Sequence, residues 1–421
     1  MLKFFIAFYF SIIEILANFC SFSFLVTLNF KVLFKNIKTH LIIIPISPLK
    51  IEGFFCRFSF KYKKIKKLLL ILFFSSISFA QNKVSDQKIF LITLDGLRWQ
   101  ELFTGADSLI IKNKNFVKHP DKLLNWAWER TLQKRRSLLM PFVWNEIIKI
   151  GQIFGNRNLG SKVNLTNKML FSFPGYNEIL TGKADDSSIN SNDKIPNPNE
   201  TVLEQYAKNY NPTKVAAFAS WDVFDYIINE ERSNVYTNCG FEPSSDFPLS
   251  SDERLLNQLQ KQISSPWGTV RLDGFTHQFA KAYINKHKPN LIFISYGETD
   301  DFAHDGDYES YLKSTKKTDA LIKDLWESCQ GNSYYKDKTT FIITTDHGRG
   351  TNPVESWKSH GKEITGSDET WLIIFGKGVK AKGELSNNNQ IYNNQIAPLV
   401  RKLMNLPQKF GSGYGKPISL E

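Results

Sequence analysis

From residue 87 onward the chain alternates short apolar runs with longer stretches of helical period. KIFLITL (88–94), NLIFISY (290–296), KTTFIITT (338–345) and TWLIIFGKG (370–378) are rich in β-branched and aromatic residues, as strands buried on both faces are. LLNQLQKQISS (255–265), THQFAKAYINKH (276–287) and YESYLKSTKKTDALIKDLWESC (308–329) read as helices, the last with its apolar residues at helical spacing. A further helix is expected within TLQKRRSLLMPFVWNEIIKIG (131–151). PNPNETV (196–202) and EPSSDFPLSSDE (242–253) carry the Pro, Ser, Asn and Asp of loops. No internal repeat is present. This alternation predicts an α/β domain over residues 86–421, with a mostly parallel central sheet covered by helices on both faces.

The first 80 residues break the pattern. They hold 16 of the 34 phenylalanines, and eleven Lys/Arg against two acids, which is +9 of the formal +12 and leaves only +3 for the rest. The folded part is therefore near neutral, and no nucleic-acid partner is expected. Within the segment, KYKKIKKLLLILFFSSISFAQ (61–81) runs from a lysine cluster through an apolar stretch to small residues, the grammar of a secretory signal peptide over 61–80 with cleavage after Ser78-Phe79-Ala80. Residues 1–60 are then an apolar extension with two explanations. Either the start is assigned too far upstream, or FFIAFYFSIIEILANFCSFSFLVTLNF (4–30) is a membrane span. Glu14 and Asn18 in the middle of that run favour the first. The domain is expected to be exported, periplasmic or secreted, and tied to a membrane only if the extension is retained. Outside this segment only Cys239 and Cys329 remain, either as a disulfide or as two buried thiols.

Several strand ends carry chemistry. Asp95 follows KIFLITL, Asp300 follows NLIFISY by a few residues, and Asp346-His347 follows FIITT. In open α/β sheets ligands bind outside the carboxyl ends of the strands, so three strands deliver these side chains to one edge. Each has an ordinary explanation alone. Asp95-Gly96 is a common turn, His360 in WKSHGKE sits in a solvated loop, and GETDDFAHDGD (297–307) could be an acid-rich helix start. But Asp300 and His304 are four apart and share a helical face. Together, three Asp and three His supply the oxygen and nitrogen donors that two zinc-like ions require. Ser172, in LFSFPGYNEILTGK (170–183), opens a segment able to turn into a helix, where it is either an N-cap or a nucleophile at the positive helix end.

The order Asp, then Ser in S-F-P-G-Y-N-E-I-L-T-G, then D-x-x-x-H, then D-H-G, then His resembles the alkaline phosphatase superfamily. That group holds nucleotide pyrophosphatase/phosphodiesterases, sulfatases and cofactor-independent phosphoglycerate mutases. The resemblance spans residues 88 to about 378. It implies an alkaline phosphatase-like fold and two divalent metal ions, Zn2+ or Mn2+. One would be held by Asp300, His304 and His360, and the other by Asp95, Asp346, His347 and the Ser172 oxygen. It further implies Ser172 as the catalytic nucleophile passing through a phosphoseryl intermediate, with Asn177 and Arg349 as candidate substrate contacts. The expected activity is that of a phosphatase or phosphodiesterase acting on a small-molecule phosphate ester. Other readings stay open. A sulfatase would need Arg where Tyr176 stands. The 13-residue step from His347 to His360 resembles the mutase branch, against which the signal peptide argues. A membrane-tethered phospho-group transferase requires residues 4–30 to be real. A metal-stabilised binding protein would leave Ser172 without a purpose.

Overall fold

The computed structural model describes residues 86–386 and 390–421. The expected signal peptide over 61–80 and the apolar run 4–30 lie outside them. The strands are β1 (Lys88–Leu94), β2 (Gly151–Phe154), β3 (Lys162–Asn164), β4 (Val215–Ala219), β5 (Tyr236–Cys239), β6 (Leu291–Tyr296), β7 (Thr339–Thr344), β8 (Glu369–Thr370), β9 (Leu372–Gly376), β10 (Gly383–Glu384) and β11 (Gln390–Tyr392). Eight form one sheet in the order β10-β2-β9-β7-β1-β6-β4-β5, and β11-β3-β8 form a small second one.

The continuous apolar runs explain the layering. Every residue of β1 and β6 is buried, and successive side chains face opposite ways. Phe90, Ile92 and Leu94 of β1 join Ile292 and Ile294 of β6 in one core. Ile89 and Leu91 join Leu291 and Phe293 in the core on the other face. Each such side chain contributes about 1.5–3 kcal/mol on burial, so these two central strands are a rigid platform for whatever sits at their ends.

The sheet is mixed in one respect. β5, β4, β6, β1 and β7 are parallel neighbours, whereas β9 runs against both β7 and β2. TWLIIFGKG therefore supplies the antiparallel strand of a mostly parallel sheet. The chain leaves the carboxyl end of β7, loops over residues 345–371 and re-enters at the same end, pairing Thr344 with Leu372. Without a crossover helix the return strand has to run backward.

The helices Ser251–Gln262, Asp273–His287 and Tyr308–Gln330 fall where the periodicity placed them. TLQKRRSLLMPFVWNEIIKIG contains the Leu132–Leu139 helix and ends at the start of β2. Cys239 and Cys329 are both free and buried, which settles the choice left open by their sequence positions. Among the described residues no helix is long and apolar enough to cross a membrane.

Candidate metal centre

Asp95 continues β1, and its N–H donates to the Tyr296 carbonyl at the end of β6 (2.9 Å). Asp346 and His347 stand just past the end of β7. Asp300 and His304 ride one face of the short Glu298–His304 helix that follows β6. His360 comes from the loop that leads back to β9. Ser172 is the first residue of the Ser172–Thr181 helix, with Phe171 in the N-cap position, so it is not the cap its position allowed. All seven meet at one edge of the sheet.

The His347 Nε2 atom is the hub. It lies 3.3 Å from Ser172 Oγ, 3.4 Å from Asp95 Oδ1, 3.4 Å from Asp346 Oδ2 and 3.6 Å from Asp300 Oδ1. Four-coordinate zinc with ligands at about 2.0–2.2 Å separates those ligands by roughly 3.3–3.6 Å along the tetrahedron's edges. The ring's other nitrogen, Nδ1, is 2.9 Å from the Gly348 carbonyl. That oxygen can only accept, so Nδ1 carries a proton and Nε2 is the nitrogen turned toward the oxygens and able to take a metal. Beside this group, His304 Nε2 lies 3.0 Å from His360 Nε2 and 3.1 Å from Asp300 Oδ2, and His360 Nε2 lies 3.8 Å from Asp300 Oδ1. The His347 and His360 rings stack at 3.8 Å. Two donor clusters result, Asp300–His304–His360 and Asp95–Asp300–His347, with Asp346 and Ser172 against the second. The first is the trio expected from the sequence. The second differs from the expected set in two respects, because Asp300 takes part in it and Asp346 lies beside the trio, next to His347.

Polar satisfaction also favours a cation. Asp95 Oδ1 and Asp346 Oδ2 are buried without a hydrogen-bond partner. Burial pushes the Asp95 carboxyl well above its ordinary range, and the neighbouring Asp300 adds to this. Asp346 is likewise raised by burial, then by Asp95. Asp300 resists its own burial because Arg349 and His304 hold it well below the usual carboxylate range. Burial, and then His347, keep the His360 imidazole neutral, with its pKa well below the usual histidine value. Neutral imidazoles and crowded carboxylates are what a divalent cation relieves.

The two expected substrate contacts are placed otherwise. Asn177 is fully buried in the Ser172 helix. Its amide donates to the Lys183 carbonyl, and its oxygen accepts from Asn197 and Asn199, so it braces the loops behind the helix. Arg349 is buried as an internal tie. Its guanidinium donates to the Asp300 carboxylate and carbonyl, to the Gly96 carbonyl and to the Lys358 carbonyl. It shapes the ligand loops and is not presented to a substrate.

Four residues about the centre escaped the sequence reading. Tyr176 donates its hydroxyl proton to Asp95 Oδ2 at 2.9 Å. Thr299 Oγ1 donates to the Asp95 carbonyl. The exposed Asn192 accepts the Phe173 N–H at 3.0 Å, one residue from Ser172. Gly175 lets the helix lie on the Asp346 carbonyl, which a Cβ there would overlap. The four-residue step from Ser172 to Tyr176 puts both on one helical face, but it does not show that the tyrosine reaches Asp95.

Residues 251–407 match the Metalloenzyme superfamily model, a stretch that includes Asp300, His304, Asp346, His347 and His360. Over 189 residues the chain is 27% identical to the 2,3-bisphosphoglycerate-independent phosphoglycerate mutase of Gloeobacter violaceus, covering 43% of this chain and 33% of that protein. Over 143 residues it is 30% identical to GPI ethanolamine phosphate transferase 1 of Homo sapiens, covering 30% of this chain and 15% of that protein. The chain thus spans about a third or less of the length of these relatives. Among solved structures, it superposes on the lipoteichoic acid synthase LtaP from Listeria monocytogenes with a TM-score of 0.51 at 11% identity, covering 79% of this chain and 75% of the other. It superposes on the alkaline phosphatase PafA with a TM-score of 0.52 at 12% identity, covering 80% and 99%. At such identities the likeness is one of fold, and that fold is alkaline phosphatase-like, as the order of motifs implied.

Proposed function

We propose that this chain is a metal-dependent phosphoric ester hydrolase with Ser172 as its nucleophile. The observation that carries this reading is the Ser172 hydroxyl 3.3 Å from His347 Nε2, at the N-terminus of a buried ten-residue helix and within the cluster of partnerless carboxylate oxygens. Bound divalent cations would make the deprotonated hydroxyl accessible near neutral pH and neutralise charge on a phosphoryl group. The mixed imidazole and carboxylate donors suit Zn2+, with Mn2+ as the alternative. Asp300, His304 and His360 would hold one ion, and Asp95, Asp346, His347 and the Ser172 oxygen the other, with Asp300 adjoining both.

Ser172 Oγ attacks phosphorus and the bond to the leaving alkoxide breaks, leaving a phosphoseryl residue and an alcohol once a proton is taken up. Water then attacks the phosphoserine, releasing phosphate or a phosphomonoester and restoring the hydroxyl. The positive end of the helix favours the anionic oxygen throughout. Positioning and charge supply most of the catalysis in such transfers, and the strand ends, helices and loop at this edge of the sheet bring both to one place. The lysine-rich, apolar leader over 61–80 supports export of the domain, to the periplasm or outside the cell.

A second reading has its own support, the matched stretch shared with GPI ethanolamine phosphate transferase 1. Here an alcohol replaces water in the second step, and the chemistry at Ser172 is unchanged. One experiment addresses both. Purified 81–421 should hydrolyse p-nitrophenyl phosphate or its bis ester, and Ser172→Ala should lose at least about 10³-fold while retaining two metals per chain. Full activity in that variant rules the mechanism out. Adding glycerol as acceptor separates the readings, since glycerol phosphate in place of free phosphate marks a transferase.

A further inference from the structure

Tyr176 has an oxygen that belongs to the centre without being one of its donors. The side chain is wholly buried, with its ring edge-on to Phe224 at 4.5 Å and to Phe293 at 6.4 Å. Its hydroxyl lies 2.9 Å from Asp95 Oδ2 and 2.9 Å from Ser295 Oγ. A phenol has one proton to give. A carboxylate oxygen is the stronger acceptor, so the tyrosine proton goes to Asp95 and the Ser295 hydroxyl donates to the tyrosine oxygen. The chain Ser295 to Tyr176 to Asp95 is then fully ordered, each hydrogen bond polarising the next.

This leaves the two Asp95 oxygens in different conditions. Oδ2 is held by Tyr176, whereas Oδ1 is buried without a partner 3.4 Å from His347 Nε2. The tyrosine thus fixes the carboxylate's rotation and turns one particular oxygen inward. The same helix carries Ser172 one turn earlier, so nucleophile and carboxylate are referred to a single rigid body. A buried tyrosine needs some partner, and packing alone would be satisfied by a backbone carbonyl. This one takes the carboxylate of a predicted ligand.

We propose that Tyr176 is a positioning residue that sets which Asp95 oxygen faces the cation and holds it in register with Ser172. The inference rests on the two-cation reading above. Its test uses Zn2+ alone, titrated against the chelator-stripped protein with no substrate present, so that it is scored separately from activity. Wild type should bind two ions. Tyr176→Phe keeps the ring against Phe224 and Phe293 and removes only the donor. It should weaken one ion by about 10–100-fold, the range for losing a partner that orients a metal ligand, and leave the ion at Asp300–His304–His360 within about threefold. Its melting temperature in EDTA should stay within a few degrees of wild type. Unchanged affinity at both sites overturns the proposal, as does equal weakening of both, the mark of a merely structural hydroxyl. Failure of wild type to bind zinc at all overturns the two-cation reading instead. Should Tyr176→Phe not fold, Ser295→Ala carries the test. It removes the donor behind Tyr176 and should weaken the same ion selectively and to a smaller degree. Selective weakening of the other ion, or of none, overturns the proposal.

Discussion

Asp346 illustrates how a single residue can be costly to the fold and necessary to the site. Its Oδ1 accepts the Gly96 N–H at 3.1 Å, while Oδ2 is buried without a donor and faces Asp95 and His347. An uncompensated buried carboxyl is unfavourable, and replacing one of two crowded carboxyls by a neutral isostere relieves it. Asp346→Asn is therefore expected to raise the stability of the EDTA-treated protein, by order 1–4 kcal/mol, and to weaken zinc binding by at least about 100-fold. Thermal melts with chelator and zinc titrations check the two halves, and a variant that loses both stability and zinc would contradict this account. Arg349 and Asn177 teach the converse. Their residue types suited an anion contact, but the Arg349 guanidinium donates to four internal acceptors, the Asp300 carboxylate and the Asp300, Gly96 and Lys358 carbonyls, and the Asn177 carboxamide is walled in by Lys183, Asn197 and Asn199.

At the scale of elements, the Ser172–Thr181 helix is the part that has to be placed accurately. All ten of its residues are buried, and Gly175 rests on the backbone of the loop carrying Asp346. Gly175→Ala should push the helix outward, costing about 1–3 kcal/mol, with the larger effect on kcat because Ser172 moves with it while the ligand set remains. Melting temperature and steady-state kinetics read the two effects, and wild-type values of both would refute the close approach. Elements with long-run patterns were legible in sequence, namely β1, β6, β7, β9 and the 273–287 and 308–330 helices. β4 was not, because VAAFA is five residues long and mostly alanine, a poor strand former that is in place only because sheet neighbours cover both its faces. β2 and β5 are shorter still. The direction of β9 could not be read either, since apolar composition records burial and not which way a strand runs. Most of the donor set was legible because Asp95, Asp346 and His347 sit at strand ends and Asp300 and His304 form an i, i+4 pair, whereas His360, in a loop, was found only through the order of motifs. Tyr176 was not, since nothing in S-F-P-G-Y distinguishes a tyrosine that packs from one that also grips a carboxylate.

For the whole molecule, the buried carboxyls set an unusual pH response. Burial and then Glu298 push Asp273 up to about 8. Burial pushes Asp319 up to about 7 against the Phe142 and Val143 amides that it accepts. Asp95 and Asp346 are raised as well. Raised native values mean that the folded chain holds more protons than the unfolded one between about pH 4 and 8, so stability falls as pH rises through that window. Asp300 has the opposite sign, but its contribution is lost only at more acid pH. His360 and His277, both lowered by burial, also oppose the trend below about pH 6.5, and the more numerous raised carboxyls outweigh them. The chelator-treated protein should therefore melt at a lower temperature at pH 8 than at pH 5, while the increment added by zinc should grow over the same range, because zinc competes with protons for Asp95 and Asp346. Paired melts across that range test both statements, and an EDTA curve that rises with pH would contradict the first. Finally, Asp300 has one oxygen toward His304 and the other toward His347 and Arg349. The two cations would then be thermodynamically linked ligands rather than independent ones. Whichever loads first settles the orientation of a carboxylate that the second also uses, and each alters the other's affinity by the same factor. Activity would follow metal supply as a threshold, present when both ions are bound and absent when either is withdrawn.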